Sequence, residues 1–514
     1  MKITSLRRLA VGTIAPALAA GSILAAPAAE AGPETDAATT WLAGQIGNVD
    51  EKPNLFTSFY DDGGPQSFLD YGLNLDLSTA LKAHGDTADA KRVYEAVVAE
   101  ADAYTDAYGA SSGAIAKLAT AKQANDGDAT ALVTRLEGFT QTTNTGGKRG
   151  FISAGSSDYT NTITQSFGVR ALSTAKSARA KDAAAFILRQ QCPDGSFRQD
   201  LSGSTCTKGS GSVDSTAFAV QALKVAAGNG VAGLQDDIAD AGYWLAGTQA
   251  GDGSFDETSG ANSNSTGLAA AALQATCHPA QARKAAQWVA GLQVTGAQDP
   301  DEAGAIALNA ASLAKVKPIK DVDRDQFVRA SVQAVLGLDA LDEVGSLDVV
   351  RSRQFVSAGT AATVTATGLE TGQRYVASIP GGGAVAGVAD STGKVTASVK
   401  TPTTSGTRDV TVCAAEQPGK VGTTKVTVLA ARALSVPLRY SSVKAGKSQN
   451  VRVGGLAKGE SVRVYYGGKR IKVGVATDGT FSHTFKVGSS KGTKTVRVTG
   501  EFTNRSGKKT FTVR

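Results

Sequence analysis

The sequence predicts a multidomain fold, an all-α (α/α)6 toroid followed by two all-β immunoglobulin-like sandwiches. Three observations carry this prediction. From about Asp36 to Leu341, Ala, Leu and Val recur at i, i+3 and i+4 between Gly/Asp/Ser turns, the period of helices. Within that stretch an aromatic–aliphatic pair followed by three residues and Gln returns several times. From about Val350 to Arg514 the period becomes two, in Val- and Thr-rich runs separated by Gly-Gly, Asp-Gly and Ser-Gly turns.

The chain of 514 residues begins with Lys2, Arg7 and Arg8, an apolar run from Leu9 to about Ala26, and the small-x-small sequence Ala29-Glu30-Ala31. This pattern reads as a signal peptide over residues 1–31, so the mature chain is expected outside the cell. No second apolar stretch is long enough to cross a membrane, and the C-terminus carries no sorting motif or apolar tail. The expected protein is therefore secreted or extracellular, without a transmembrane segment after processing. Any attachment to the cell wall is expected to be non-covalent. Three His and four Cys are too few for a multi-metal centre or a disulfide scaffold.

The helical part, residues 32–345, repeats. The unit occurs as Phe186-Ile187 with Gln191, Trp244-Leu245 with Gln249 and Trp288-Val289 with Gln293, and one residue shorter as Trp41-Leu42 with Gln45. Two copies continue alike, Gln191 through Asp194-Gly195-Ser196-Phe197 and Gln249 through Asp252-Gly253-Ser254-Phe255. The aromatic and aliphatic residues would pack one helix face, Gln would satisfy that helix's terminal groups, and Phe would plug the turn onto the helices. Looser turns stand at Gly64 to Phe68 and Gly147 to Phe151.

Each turn leads into an Ala-rich helix: 72–81, 109–118, 163–172, 214–223, 264–273 and 301–310, with Asp214 and Asn264 as expected N-caps. More polar helices alternate with these near 37–47, 86–101, 128–139, 179–191, 234–249, 280–293 and 324–336. Small-residue helices can pack closely inside while the polar set covers them.

The β-half divides near Ala431 into modules 350–430 and 431–514, each large enough for an immunoglobulin-like sandwich. The second holds 18 Lys and Arg against three Asp and Glu, a net +15, whereas the whole chain is +7. A basic terminal module on an exported chain points to an anionic envelope polymer or lipid head groups; a solvated β-surface guarding its edges gives the same composition. Export removes nucleic acid as the usual partner.

The Trp/Phe-Leu-x3-Gln-x3-Gly-x-Phe units resemble the QW motifs of squalene and terpenoid cyclases. Phe stands in the last Trp position. The alternation of polar and Ala-rich helices is similar to the wider prenyltransferase and squalene-oxidase repeat superfamily. That resemblance implies the α/α toroid over residues 32–345, and a fold shared by cyclases, protein prenyltransferases, thioester proteins and cobalamin carriers. Their chemistry is not matched residue by residue. The nearest segment to the cyclase Asp-x-Asp-Asp acid is Asp321-Val322-Asp323-Arg324-Asp325, which reads as the start of an outer helix. Asp299-Pro300-Asp301-Glu302 reads as a loop and cap rather than a magnesium motif. His84 and His278, the latter beside Cys277, make a poor zinc set. Cys413 to Gln417 has the wrong spacing for a thioester, and His483 sits in a strand pattern.

No catalytic residue, metal or cofactor is assigned from the sequence. The polar starts of the inner helices could line one mouth of the ring. The lining candidates are Tyr71, Asn74, Asp76, Tyr159, Gln165, Asp214, Asn264 and Asp301, although capping and turn formation account for each singly. Cys192 and Cys206 bracket the 194–197 turn, and a disulfide between them would contribute roughly 3 kcal/mol. Cys277 and Cys413 either bridge the helical part to the first β-module or stay as buried thiols. The expected function is a non-catalytic cell-surface binding protein. Its toroid would hold a small lipophilic or cobalamin-like ligand or partner, and its basic module would contact the envelope. A divergent cyclase or prenyltransferase-like enzyme and a cobalamin-carrier-like protein are the alternatives.

Overall fold

The computed structural model describes residues 32–514 apart from 62, 63, 108, 126, 208, 210, 258, 259, 343, 344 and 418. The segment read as a signal peptide lies outside the described residues.

Six helices carry one buried stripe each: α1 (Pro33–Ala43), α3 (Thr87–Ala99), α6 (Thr130–Phe139), α8 (Ala180–Leu188), α10 (Gln235–Thr248) and α12 (Pro279–Ala290). In α12 the stripe is Ala282, Ala285, Ala286 and Val289, a narrow helical face. Six more are buried on several sides: α2 (Tyr71–Ala83), α5 (Ser112–Ala124), α7 (Thr162–Thr174), α9 (Val213–Gly228), α11 (Ser263–Ala275) and α14 (Asp321–Leu338). α11 buries every residue except Asn264 and Gln274. In the inner set each helix packs on the next, and α14 packs back on α2. α4 (Ala101–Thr105) and α13 (Ala310–Leu313) are short connectors.

This corrects two expectations. Residues 301–310 are a loop ending in the four-residue α13, so Asp301 starts no inner helix. The helix expected outside at 324–336 is α14, which is inner. Its first turn is polar, but from Phe327 onward it buries residues all round, and small residues let it approach α11. A Cβ on Gly267 would lie 2.3 Å from the Ala334 Cα. The acidic segment 321–325 thus opens an inner helix.

The repeated Gln does something other than the sequence suggested. Gln45 alone of the four caps its own helix, bonding the Trp41 carbonyl. Gln191 bonds the Gly195 carbonyl in its turn and the Asp237 carbonyl at the start of α10. Gln249 does the same with Gly253 and the Gln281 carbonyl in α12. Gln293 bonds Gly304 and the Glu34 carbonyl in α1, so the last outer helix is tied to the first. Gly304 completes that closure. Its φ is +102°, and a Cβ would meet the Ala37 carbonyl oxygen at 2.1 Å. Buried Glu302 receives the Trp41 indole N–H at 2.9 Å and two bonds from Arg324.

Phe197 and Phe255 plug their turns, both fully buried. Phe68 does not, being 40% exposed; Phe56 is the buried residue at that turn. At the 147–151 turn, Ile152 is buried while Phe151 packs on Phe186 with ring centroids 5.3 Å apart.

The β-part follows the period-two pattern. In strand Val395–Lys400, Val395, Ala397 and Val399 are buried and alternate with exposed Thr396, Ser398 and Lys400. Residues 347–428 enclose one apolar cluster between a five-stranded and a three-stranded sheet. Residues 434–513 enclose another. Its larger sheet orders strands Arg432–Ala433, Arg505–Val513, Gly492–Thr499, Ser461–Tyr466 and Lys469–Val475.

The helical part and the first β-part are joined covalently by Cys277–Cys413, so the bridging alternative holds; Cys192–Cys206 is also formed. Around the first bridge, Tyr243 and Ser378 share a 2.9 Å hydrogen bond, and the Ala384 N–H donates to Asp236.

Candidate functional site

The starts of the inner helices are shaped by their caps. Asp70, Ser111, Asn161, Ser212 and Asn262 each accept a backbone N–H from the first turn. The caps of α9 and α11 therefore stand two residues before the expected Asp214 and Asn264. The reason is tertiary. Short antiparallel pairs run directly into each helix and keep the cap extended until Ser212 and Asn262.

Four residues after most caps a polar side chain grips the preceding turn. Asn74 binds both the N–H and the carbonyl of Phe56, and Gln165 binds the Ile152 N–H and the Gly150 carbonyl. Thr216 accepts the Phe197 N–H and Thr266 the Phe255 N–H. Ser331 does likewise for Ile306. Asn74 and Gln165 are thus buried clamps, not lining residues; lining would leave the turn's backbone groups unsatisfied. The aligned Thr216 and Thr266 in the two long repeat copies were the available signal. In α5 that position is Ile115, and the clamp is missing.

Other candidates tie neighbouring inner helices. Asp76 pairs with Lys117 of α5 at 2.7 Å. Asn264 donates to Gln333 and to the Arg329 carbonyl of α14. Arg329 in turn pairs with Asp70 and Asp325, each at 2.7 Å. Burial would raise the Asp70 carboxyl, but the Leu73 N–H and Arg329 hold it below its ordinary value. Phe167 of α7 lies 5.6 Å from Phe218 of α9. Tyr71 is half-buried against Tyr104. Tyr159 is 74% exposed, and Asp301 is exposed in the loop before α13.

Asp214 is the chemically unusual member. One carboxyl oxygen is buried without a hydrogen-bond partner. Burial raises its pKa to about 6, Glu257 adds to the rise, and a bond from Ser265 opposes it. The folded protein then holds this proton more tightly than the unfolded chain. Its contribution favours folding at low pH and is lost as pH climbs from about 4 to about 6. Asp214→Asn is expected to raise the thermal midpoint at pH 7.5, by at most about 3 kcal/mol of stability, and to leave it unchanged near pH 4. Calorimetry of both proteins across that range checks it; an Asn variant less stable at pH 7.5 contradicts the assignment.

Among the described residues no group of three or more His, Cys, Asp or Glu is arranged to hold a metal ion. No described helix is long and apolar enough to cross a membrane. A cavity of about 440 Å3 lies between the helical part and the first β-part, lined by residues including Gln274, Arg283 and Asp342.

The second β-part carries a basic row that the sequence did not reveal. Lys508 is in register with Arg497, Arg497 with Tyr465, and Tyr465 with Arg470, across four adjacent strands. The Arg497 guanidinium stacks 4.4 Å from the centroid of the Tyr465 ring. The three cations are exposed and none joins an ion pair among the described residues.

No protein-family model matches the sequence, and no curated protein does. Among solved structures, a protein from Actinoplanes is 16% identical over 60% of this chain and 98% of its own, with a TM-score of 0.41. The type II terpene cyclase MstE from Scytonema is 14% identical over 60% of this chain and 96% of its own, also at 0.41. The Escherichia coli adhesin FdeC is 16% identical over 33% of this chain, which spans 64% of that adhesin chain, at 0.25.

Proposed function

We propose that this is a secreted, non-catalytic cell-surface binding protein. In this reading residues 32–345 form an (α/α)6 toroid that acts as scaffold, and 350–430 and 431–514 form immunoglobulin-like sandwiches. The last module contacts an anionic envelope polymer. The observation that carries the reading is the row Lys508, Arg497, Tyr465 and Arg470. At the usual strand spacing it presents three unpaired cations and an aromatic ring along about 14 Å. A linear polyanion can lie across such a row and neutralise it without rearrangement, whereas a merely solvated surface has no need of register.

The test is retention on purified anionic wall polymer at rising NaCl. The protein is expected to bind at low salt and elute as screening grows. The variant R470E/R497E/K508E is expected to lose at least tenfold in affinity with its melting unchanged. Equal retention of the two proteins defeats the proposal.

A divergent cyclase or transferase has one observation in its favour, the buried Asp214, which could donate a proton near neutral pH. Turnover of a polyprenyl substrate that D214N abolishes would favour that reading instead.

A further inference from the structure

We propose that the interior of the helical ring binds a small phosphate or phosphate ester on the guanidinium of Arg170. Arg170 lies on the third turn of α7 and is 6% exposed. It makes no hydrogen bond and no ion pair among the described residues, and its Nε is buried without a partner. The same chain shows what a satisfied buried arginine looks like. Arg505 is 2% exposed and bonds both oxygens of Glu460 and the carbonyls of Ala430 and Gly455.

Local charges leave Arg170 unmatched. The Arg170 guanidinium and the Lys117 ammonium each lie 5.4 Å from the centroid of Phe167. The carboxylate nearby, Asp76, is engaged by Lys117 at 2.7 Å. Asp70 and Asp325 are both engaged by Arg329. Two cations therefore share one carboxylate at this point. Stacking on one ring offsets only part of the cost of burying a charge, which an anion accepting two parallel N–H bonds would remove. Access exists, because Asp76, Lys117, Phe167 and Phe218 are all partly exposed. Burial lowers the Arg170 pKa only to about 10, so the group is cationic at neutral pH.

Isothermal titration of the full-length protein at fixed ionic strength tests this, with inorganic phosphate and phenyl phosphate as probes. One site per chain is expected, with R170Q lowering affinity at least tenfold and R497E, on the β-module, leaving it unchanged. Inorganic phosphate bound with the same dependence on Arg170 identifies a free ion as the ligand. Binding of phenyl phosphate alone identifies the phosphate group of an organic ester. If R170Q does not fold, K117Q, whose ammonium shares the Phe167 ring, is expected to give the same loss. Absence of binding by both probes, or equal affinities in wild type and the folded variants, overturns the proposal. The R497E arm separates it from binding at the basic β-row.

Discussion

Removing the Cys277–Cys413 disulfide is expected to have the largest single effect on this protein. The bridge closes a loop spanning 136 positions that contains α12, α14 and most of the first β-part. On the chain-entropy account such a cross-link contributes up to about 5 kcal/mol. The contacts that would remain across the junction are few, the Tyr243–Ser378 hydrogen bond and the Ala384 N–H to Asp236 among them. Two exposed or half-exposed polar contacts contribute about 1 kcal/mol each at most. C277S/C413S should therefore lower the thermal midpoint of the helical part and make the junction sensitive to protease. An unchanged melting curve and digestion pattern would mean that packing alone holds the two parts together.

Arg505→Leu is expected to have the second largest effect, about 3–5 kcal/mol on the last β-part. Glu460 is fully buried and receives two bonds from Arg505. Leucine leaves that buried carboxylate without a counter-charge, held only by the Ala457 and Glu501 N–H groups. It also strips the Ala430 and Gly455 carbonyls of their donor. The double variant E460M/R505L removes both charges and should recover part of the loss, because a buried pair is costly mainly when half of it remains, while the Ala457 and Glu501 N–H groups lose their acceptor. Denaturant unfolding of the three proteins decides the matter. A double variant as unstable as R505L alone would place the effect in the lost backbone hydrogen bonds of both side chains rather than in the stranded charge.

Much of this architecture was legible in the chain. The helical and strand periods located both parts, the two long repeat copies located the turns, and Cys192 and Cys206 were paired correctly. The errors cluster where one repeat meets another. In sequence Gln191, Gln249 and Gln293 resemble caps of their own helices, because a local pattern shows only local partners. Asp214 and Asn264 stand where the sequence places caps, because the hairpins that set the caps at Ser212 and Asn262 are too short to show a period. Residues 301–310 have the composition of an inner helix. That place was already taken by α14, whose close approach depends on Gly267 facing Ala334 and Gly337 from seventy residues away.

The candidate site was less legible, for the same reason. Asn74, Gln165, Asp76 and Asn264 are polar groups at helix starts in the sequence, and the folded chain uses each to hold a neighbour. The burial of Arg170 has no signal in the sequence, because it depends on how neighbouring helices pack around it. Arg497, Lys508 and Arg470 were visible only as a charge total.

By itself the sequence determined the element types, the repeat, the turn chemistry and the basic excess of the last module, since each depends on neighbours within one or two turns of chain. The tertiary structure decided which helix completes the inner set, which polar groups are consumed by packing, and which charges stand together or alone. Those outcomes depend on distances between residues far apart in sequence, where burial and pairing fix the energy of a charge.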